Sequence, residues 1–366
     1  MTIDLATLIN NLQQDGTLRS IVNNQFAQFG LPTQPNLGAT LLPEKSVPEN
    51  AYREENIRYR TIIANNGSRY SPVQRKKGVL MGAFDVSLSN SDLGSEFTGR
   101  DYDTLLRLLG TGSTMEGVIQ ITKWAEAFFN RGMIALNEKQ RWEAILNAEV
   151  VATGDNGWSE TITYANPSGH RVNAATQWSD DAVDPMNDIG AIVDLLYTKG
   201  YTVTRIITNR PVISILNKNA KMRSRAGLNV INATTGLLNT APGRIDHARL
   251  NAIFAADNLP PIEEYNALYR TSTGTAAYIP GNTMVFACAT GRDEALLLDN
   301  SDTYKEITDT LGYLAVGRAV GESSPGRVLR LFPEVDKPPR IDGQSWQTTI
   351  PVITEPEAFA VIKNIH

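Results

Sequence analysis

The chain has 366 residues, enough to bury one large core or two modest ones without disulfide or metal staples. A net charge of -5 and a pI near 5.4 exclude a dedicated nucleic-acid binder, whose affinity comes from Lys and Arg neutralising phosphates. The lone cysteine, Cys288, excludes an intrachain disulfide, and its neighbours Val285, Phe286 and Ala287 predict a buried, unreactive thiol.

Met1 to Leu5 lacks a basic region followed by an apolar run, and no stretch approaches about 18 uninterrupted apolar residues. The expectation is a chain made in a cytoplasm with no membrane contact, in which the N-x-[ST] matches at Asn66 and Asn232 are chance. Residues 1–50 open with a short apolar periodicity, Leu5, Leu8, Ile9 and Leu12, and lose it at Gly30-Leu31-Pro32. Their polarity predicts an arm with one short helix and too little apolar surface to bury locally.

From Ile57 the pattern alternates strictly: Ile57, Tyr59, Thr61 and Ile63 point one way, and Arg58, Arg60 and Ile62 the other. Asn65-Asn66-Gly67 marks a hairpin turn, because both turn residues accept positive φ. A second run, Val79 to Leu88, supplies further sheet. Arg75, Lys76 and Lys77 lie between the runs, and Glu54 and Glu55 lie upstream. An isolated two-stranded hairpin is marginal in water, so this one is expected to project and lean on a neighbour.

The longest element is predicted over Ser113 to Glu149. Ser113 and Glu116 stand three apart as a capping box, in which each side chain satisfies backbone N–H groups of the first turn. Ile121, Trp124, Phe128, Ala135, Trp142 and Leu146 recur at helical spacing on an expected buried face; Lys123, Glu126, Asn130, Asn137 and Arg141 fall on an expected wet one. At about 1.5 Å per residue, a helix over 114–149 is a rod of roughly 54 Å. The alternative is two helices broken at Asn130-Arg131-Gly132.

Beyond the rod, Val150 to Val172 reads as a second hairpin, with turns at Gly154-Asp155-Asn156-Gly157 and Pro167-Ser168-Gly169. Asp184 is placed as an N-cap with Pro185 at the first helical position, and Ile189, Ile192, Val193 and Leu196 carry that helix to Gly200. Tyr201 to Thr208 is a strand, and Asn209 is placed to cap a further helix through Pro211, Ile215 and Leu216. Residues 227–280 are the least readable. Strands are predicted at Thr283 to Ala289, Thr310 to Val320, Arg327 to Phe332, Trp346 to Thr354 and Ala358 to Ile365, with a break over Pro333 to Arg340.

No catalytic constellation emerges. His170, His247 and His366 are far apart in sequence without the spacing of a zinc site. There is no G-x-S-x-G elbow, and Gly321 to Gly326 suits a turn. Leu109 to Thr114 lacks the Gly-Lys-[Ser/Thr] ending of a phosphate loop. Asp180-Asp181 and the pair Asp101 and Asp103 are ordinary cap and loop carboxylates. No cofactor, metal or catalytic residue is expected.

The order of parts is arm, projecting hairpin, long helix, compact α/β region and strand-rich return. It resembles the major capsid proteins of tailed bacteriophages, and in particular the family of the lambda major head protein (protein E). The resemblance is carried by Trp178-Ser-Asp-Asp-Ala-Val-Asp-Pro-Met-Asn-Asp-Ile189, Arg205-Ile-Ile-Thr-Asn-Arg-Pro211 and Ile350-Pro-Val-Ile-Thr-Glu-Pro-Glu-Ala-Phe-Ala-Val361. It implies an α+β Hong Kong 97-type capsid fold with an N-terminal arm at 1–50 and an extended β-hairpin loop at 51–105. A peripheral domain at 106–183 would carry the spine helix 114–149. An axial domain at 184–310 and return strands at 311–366, completing the peripheral domain, would follow.

The implied function is a structural subunit that assembles into the pentamers and hexamers of an icosahedral shell around packaged double-stranded DNA. The DNA would be enclosed without sequence-specific binding. The implied partners are further copies of the chain, a portal, a scaffold and a decoration or cement protein. The virion is the expected location, and no isopeptide-forming Lys and Asn pair is identified. The loop residues Arg58, Arg60, Arg75, Lys76 and Lys77, with Glu54 and Glu55, are the expected subunit-interface residues. An encapsulin-like compartment is the alternative within the fold, and a small-molecule α+β enzyme the alternative outside it.

Overall fold

A computed structural model of the chain describes residues 5–22, 36–59, 79–98, 101–104, 107, 114–154, 159–227, 229–231, 238–240, 244–271, 274–288, 311–334 and 340–365. The chain forms two compact units. The first comprises Met1–Tyr52, Asp85–Arg141 and Tyr313–Val352, and the second Arg53–Phe84, Trp142–Gly312 and Ile353–His366.

The first unit is built on a sheet of β1 (Glu44–Ser46), β15 (Gly312–Val316), β17 (Arg340–Ile353) and β16 (Val328–Glu334), in that order, with β4 (Ser89–Thr98) also pairing β17. β4 and β16 run antiparallel to β17. Side chains alternate across a strand. One set, Leu93 and Phe97, Ile341, and Leu329 and Leu331, therefore packs on a core completed by Ile121, Ala125 and Phe129 of the long helix.

Two helices at the start of the chain, Leu5–Gln14 and Thr17–Val22, add Leu8, Ile9, Leu12 and Leu18 to this same core. The expected arm is thereby corrected for these two helices, whose Leu8, Ile9, Leu12 and Leu18 are buried in the subunit itself. Gln13 Nε2 donates to Leu331 O at 2.6 Å, satisfying a carbonyl of β16. β16 runs on through Pro333 to Glu334, so the expected break starts later than Pro333.

The long helix has three parts: an α-helix at Thr114–Trp124, a π-helical turn at Ala125–Asn130, and an α-helix at Arg131–Asn147. It is not broken at Asn130 to Gly132, because Arg131 keeps ordinary helical dihedrals. It ends at Asn147 rather than Glu149: Ala148 turns left-handed with φ 54°, and β5 (Glu149–Thr153) begins at once. A Cβ on Gly132 would lie 2.6 Å from Leu93 Cδ2, so a larger residue there would require the Leu93 side chain to shift. Ser113 of the expected capping box lies outside the described residues.

In the second unit a five-stranded sheet runs in the order β11 (Ile262–Glu264), β8 (Val203–Thr208), β14 (Met284–Cys288), β18 (Phe359–Lys363), β7 (Arg171–Asn173). All five residues of β14 are buried, as are Phe359 to Ile362. Such strands read as continuous apolar runs because both faces are covered. The helix Pro185–Thr198 starts as expected, with Asp184 Oδ1 accepting from Met186 N at 3.1 Å. Asn209 stands at the start of the next helix, Arg210–Lys218, but does not cap it. Its amide instead donates to Ile279 O and Pro280 O at 3.0 and 2.8 Å. β5 pairs antiparallel with β6 (Ser159–Thr163), confirming that hairpin; its turn at 155–158 lies outside the described residues. Smaller pairs are β9 (Asn229–Ile231) with β10 (Leu238–Thr240), and β12 (Leu268–Arg270) with β13 (Thr275–Ala277).

Candidate subunit surfaces and their buried supports

The expected wet side of the long helix is buried beyond the π turn. Asn130, Asn137 and Arg141 are all sequestered, and Asn137 and Arg141 join Glu138 in a polar network inside the first unit. Glu138 (0% exposed) faces Arg141 (2%), with Oε2 3.5 Å from Nη1, and its Oε1 accepts from Gly38 N at 2.7 Å. Glu44 on β1 stands 3.6 Å from Arg141 Nη2 and also accepts directly from Arg327 Nη2. Arg327 Nε donates to Gln347 Oε1 at 2.9 Å, and Gln347 Nε2 donates to Asn137 Oδ1 at 2.7 Å. Burial pushes the Arg141 guanidinium below its ordinary value against the raising pull of Glu138 and Glu44. Charges leave water at a cost of several kcal/mol each and persist only when paired and hydrogen-bonded, which explains why two carboxylates accompany two guanidinium groups.

The solvent face of the same sheet carries the alternate set of side chains: Asp92 and Glu96 on β4, Asp342, Gln344 and Trp346 on β17, and Arg330 and Phe332 on β16. Glu96 and Asp342 are direct cross-strand partners. Like charges directly opposite each other destabilise a sheet. Arg340 approaches Glu96 at 3.5 Å but also holds Glu334 at 2.6 Å, and Asp342 accepts from Gln344 Nε2 at 2.7 Å. Phe332 and Val320 are exposed, and Trp346 Nε1 donates to Val320 O at 3.0 Å. Asp92, Glu96, Asp342 and Gln344, with Val320 and Trp346 at the aromatic end, line a shallow acidic groove.

In the second unit the stretch from Trp178 to Ile189 is fixed by two polar side chains. Trp178, fully buried, donates from Nε1 to Asp188 Oδ2 at 2.8 Å. Asn219 donates from Nδ2 to the carbonyls of Trp178, Asp180 and Val183, and accepts from Lys221 N and Met222 N. Arg171 donates from Nε and Nη2 to Ile145 O at 3.2 and 2.9 Å, placing a cation on the last carbonyls of the long helix, where the helix dipole favours it. Burial lowers that guanidinium to about 10.

Among the expected spine-core residues, Ile121, Trp142 and Leu146 are buried and Trp124 is half-buried, within 5.2 Å of the Phe129 ring. Phe128 is a correction: it is 40% exposed, and Phe129 at 0% takes the core position. Trp142 stacks near Tyr265 at 5.5 Å. Of the expected interface residues, Glu54, Glu55 and Arg58 lie on the backbone of β2 (Ala51–Tyr59), which pairs with β3 (Val79–Ser87). Arg60, Arg75, Lys76 and Lys77 lie outside the described residues, as do the turn at 65–67 and His366. Cys288 is buried, and His170, also buried, has Nδ1 3.0 Å from Phe359 O. The ion network and Asn219 were missed by the sequence reading. An Arg at i+3 from Glu138 was the network's local signal in the sequence.

The two units, with their sheets, long helix and long hairpin strands, define a capsid-type subunit of the Hong Kong 97-like fold. The model of the phage major capsid protein E family matches residues 115–297, half the chain, and the protein belongs to that family. It is a structural protein, a subunit of the icosahedral phage head, and its place is the virion. A phage-related protein of Bordetella bronchiseptica RB50 is similar at 14% identity and TM-score 0.50, over 96% of this chain and 97% of that one. A putative capsid protein of an Escherichia coli CFT073 prophage is 15% identical over 99% of each chain, with TM-score 0.46. The holo-SrpI encapsulin complex of Synechococcus elongatus PCC 7942 is 11% identical over 93% of this chain and 92% of that one, with TM-score 0.42. No curated protein matches the sequence.

Proposed function

We propose that the subunit closes into pentamers and hexamers of a shell that is built in the host cytoplasm and encloses double-stranded DNA without sequence-specific contact. Its partners are further copies of itself, a portal, a scaffold and a decoration or cement protein, and it carries no catalytic activity. In this reading residues 51–105 are the extended loop and 184–310 the axial domain. The basic segment Arg75-Lys76-Lys77 meets acidic surface on an adjacent subunit. The observation that supports this contact is the acidic cluster of Glu96, its cross-strand partner Asp342, and Asp92 on the outer face of the first unit's sheet, whose nearby cation Arg340 is shared with Glu334. A further cationic partner complements this surface, and each exposed pair is worth about 0.2 to 1 kcal/mol, repeated in every subunit of a shell.

The test is charge reversal at all three basic positions, Arg75→Glu, Lys76→Glu and Lys77→Glu. The expected result is a folded subunit that assembles poorly at low salt and recovers partly at high salt, because exposed charges are screened within about 10 Å at 0.1 M. Equal shell fractions from parent and variant by sedimentation at both salts would remove the loop from the assembly contacts. Electron microscopy of particles from the native source distinguishes a DNA-filled head from an encapsulin-like compartment with protein cargo.

A further inference from the structure

Residues 36–47 form a strap along the first unit: a short helix at Leu37–Leu41, buried Leu41, Leu42 and Val47, and the three-residue parallel strand β1. So short an edge strand contributes little pairing of its own. Its backbone is anchored by Gly38 N donating to Glu138 and by Val47 N donating to Val316 O at 2.9 Å. Its one member in the buried ion network is Glu44, whose side chain is 18% exposed, whereas those of Arg141, Arg327 and Glu138 are at most 2% exposed.

Without Glu44, Arg141 keeps the Glu138 carboxylate and Arg327 keeps the neutral Gln347 acceptor, and among the described residues the buried Nε of Arg141 has no hydrogen-bond partner. Such a net-positive, desolvated cleft selects a planar anion with two acceptor oxygens. We propose that Arg141 and Arg327 form a carboxylate-binding seat in the first unit, and that Glu44 is its tethered ligand, a plug that latches the strap onto the subunit. Buried ion groups are often less stabilising than apolar replacements of the same volume, and fixing register or switching is their best-attested use. The strap is therefore releasable as a piece, with its seat left open to a carboxylate from solution.

The experiment is amide hydrogen exchange on the full chain carrying Glu44→Ala, in sodium chloride or sodium acetate at equal ionic strength. Leu42 N, bonded to Gly38 O, and Val47 N report on the strap, and Gly317 N, bonded to Thr348 O, reports on the rest of the unit. The expected result is protection reduced about tenfold or more at Leu42 and Val47 and retained at Gly317. Acetate should restore protection saturably where chloride does not, and the added change Arg327→Met should abolish the restoration. Unchanged strap protection, or equal loss at Gly317, overturns the latch. Loss that acetate repairs no better than chloride overturns the seat. Should Glu44→Ala fail to fold, the isosteric Glu44→Gln is read at the same amides, with loss at the strap alone expected, and Glu44→Asp is expected to keep the strap closed.

Discussion

A Cβ on Gly343 would lie 2.6 Å from Cζ of Phe129 and 2.8 Å from Cη2 of Trp124, so the π turn of the long helix rests directly on the bare backbone of β17. Gly343→Ala is expected to cost about 1 to 3 kcal/mol, the range for adding a methyl to a packed core. The midpoint of urea unfolding should fall with an unchanged slope. A midpoint equal to the parent's would show that the helix can move off the strand.

Phe128 and Phe129 are neighbours with opposite environments. Phe129→Ala should cost about 3 to 5 kcal/mol, and Phe128→Ala less than about 1 kcal/mol. Thermal melting of the two variants side by side checks the register of the helix, and a reversed ranking would place the wrong ring in the core.

Asn219 uses its whole amide: its two N–H groups are shared among three carbonyls at 2.9 to 3.2 Å, and Oδ1 accepts from two backbone N–H groups. Asn219→Ala strands these buried groups and is expected to cost about 3 kcal/mol or more. Asn219→Asp should be no better, because it turns a carboxylate oxygen toward three carbonyls. Stability equal to the parent in either variant would contradict the arrangement.

Burial, with a smaller contribution from Glu355, pushes the Cys288 thiol up to about 12 from an ordinary 9. Between these values the unfolded chain releases the proton and the folded chain keeps it, so this group removes about 1.4 kcal/mol of stability per pH unit as pH rises. Denaturant melts from about pH 8 to 11 should show the parent losing stability faster than Cys288→Ala. Parallel pH dependences would show a thiol that ionises freely in the folded state.

Deleting residues 1–22 removes Leu8, Ile9, Leu12 and Leu18 from the core and is expected to lower the stability of the folded subunit, as read from its unfolding midpoint. An unchanged midpoint would return these helices to the role of an assembly arm.

Legibility in the sequence followed the range of the forces involved. The start at Asp184-Pro185, the β5–β6 hairpin and the buried strand at Met284–Cys288 rest on neighbours a few residues away, and local patterns found them. The second half of the long helix could not be read that way. Asn137 and Arg141 look solvated until Gln347, Arg327 and Glu44 are brought to them from distant parts of the chain. The π turn also shifts the phase of the apolar face, which moved the expected core ring from Phe129 to Phe128. At Asn209 the residue type fitted a cap, but the amide found better acceptors at Ile279 and Pro280. The basic loop segment was legible as charge alone.

The bond from Gln13 to Leu331 spans 318 positions of the chain. Translation at about 5 to 20 residues per second puts roughly 15 to 60 s between the emergence of these two residues. For nearly all of that interval Leu8, Ile9, Leu12 and Leu18 have left the ribosome while Leu329, Leu331 and Ile341 have not yet emerged. The first unit therefore closes only after nearly the whole polypeptide has been made.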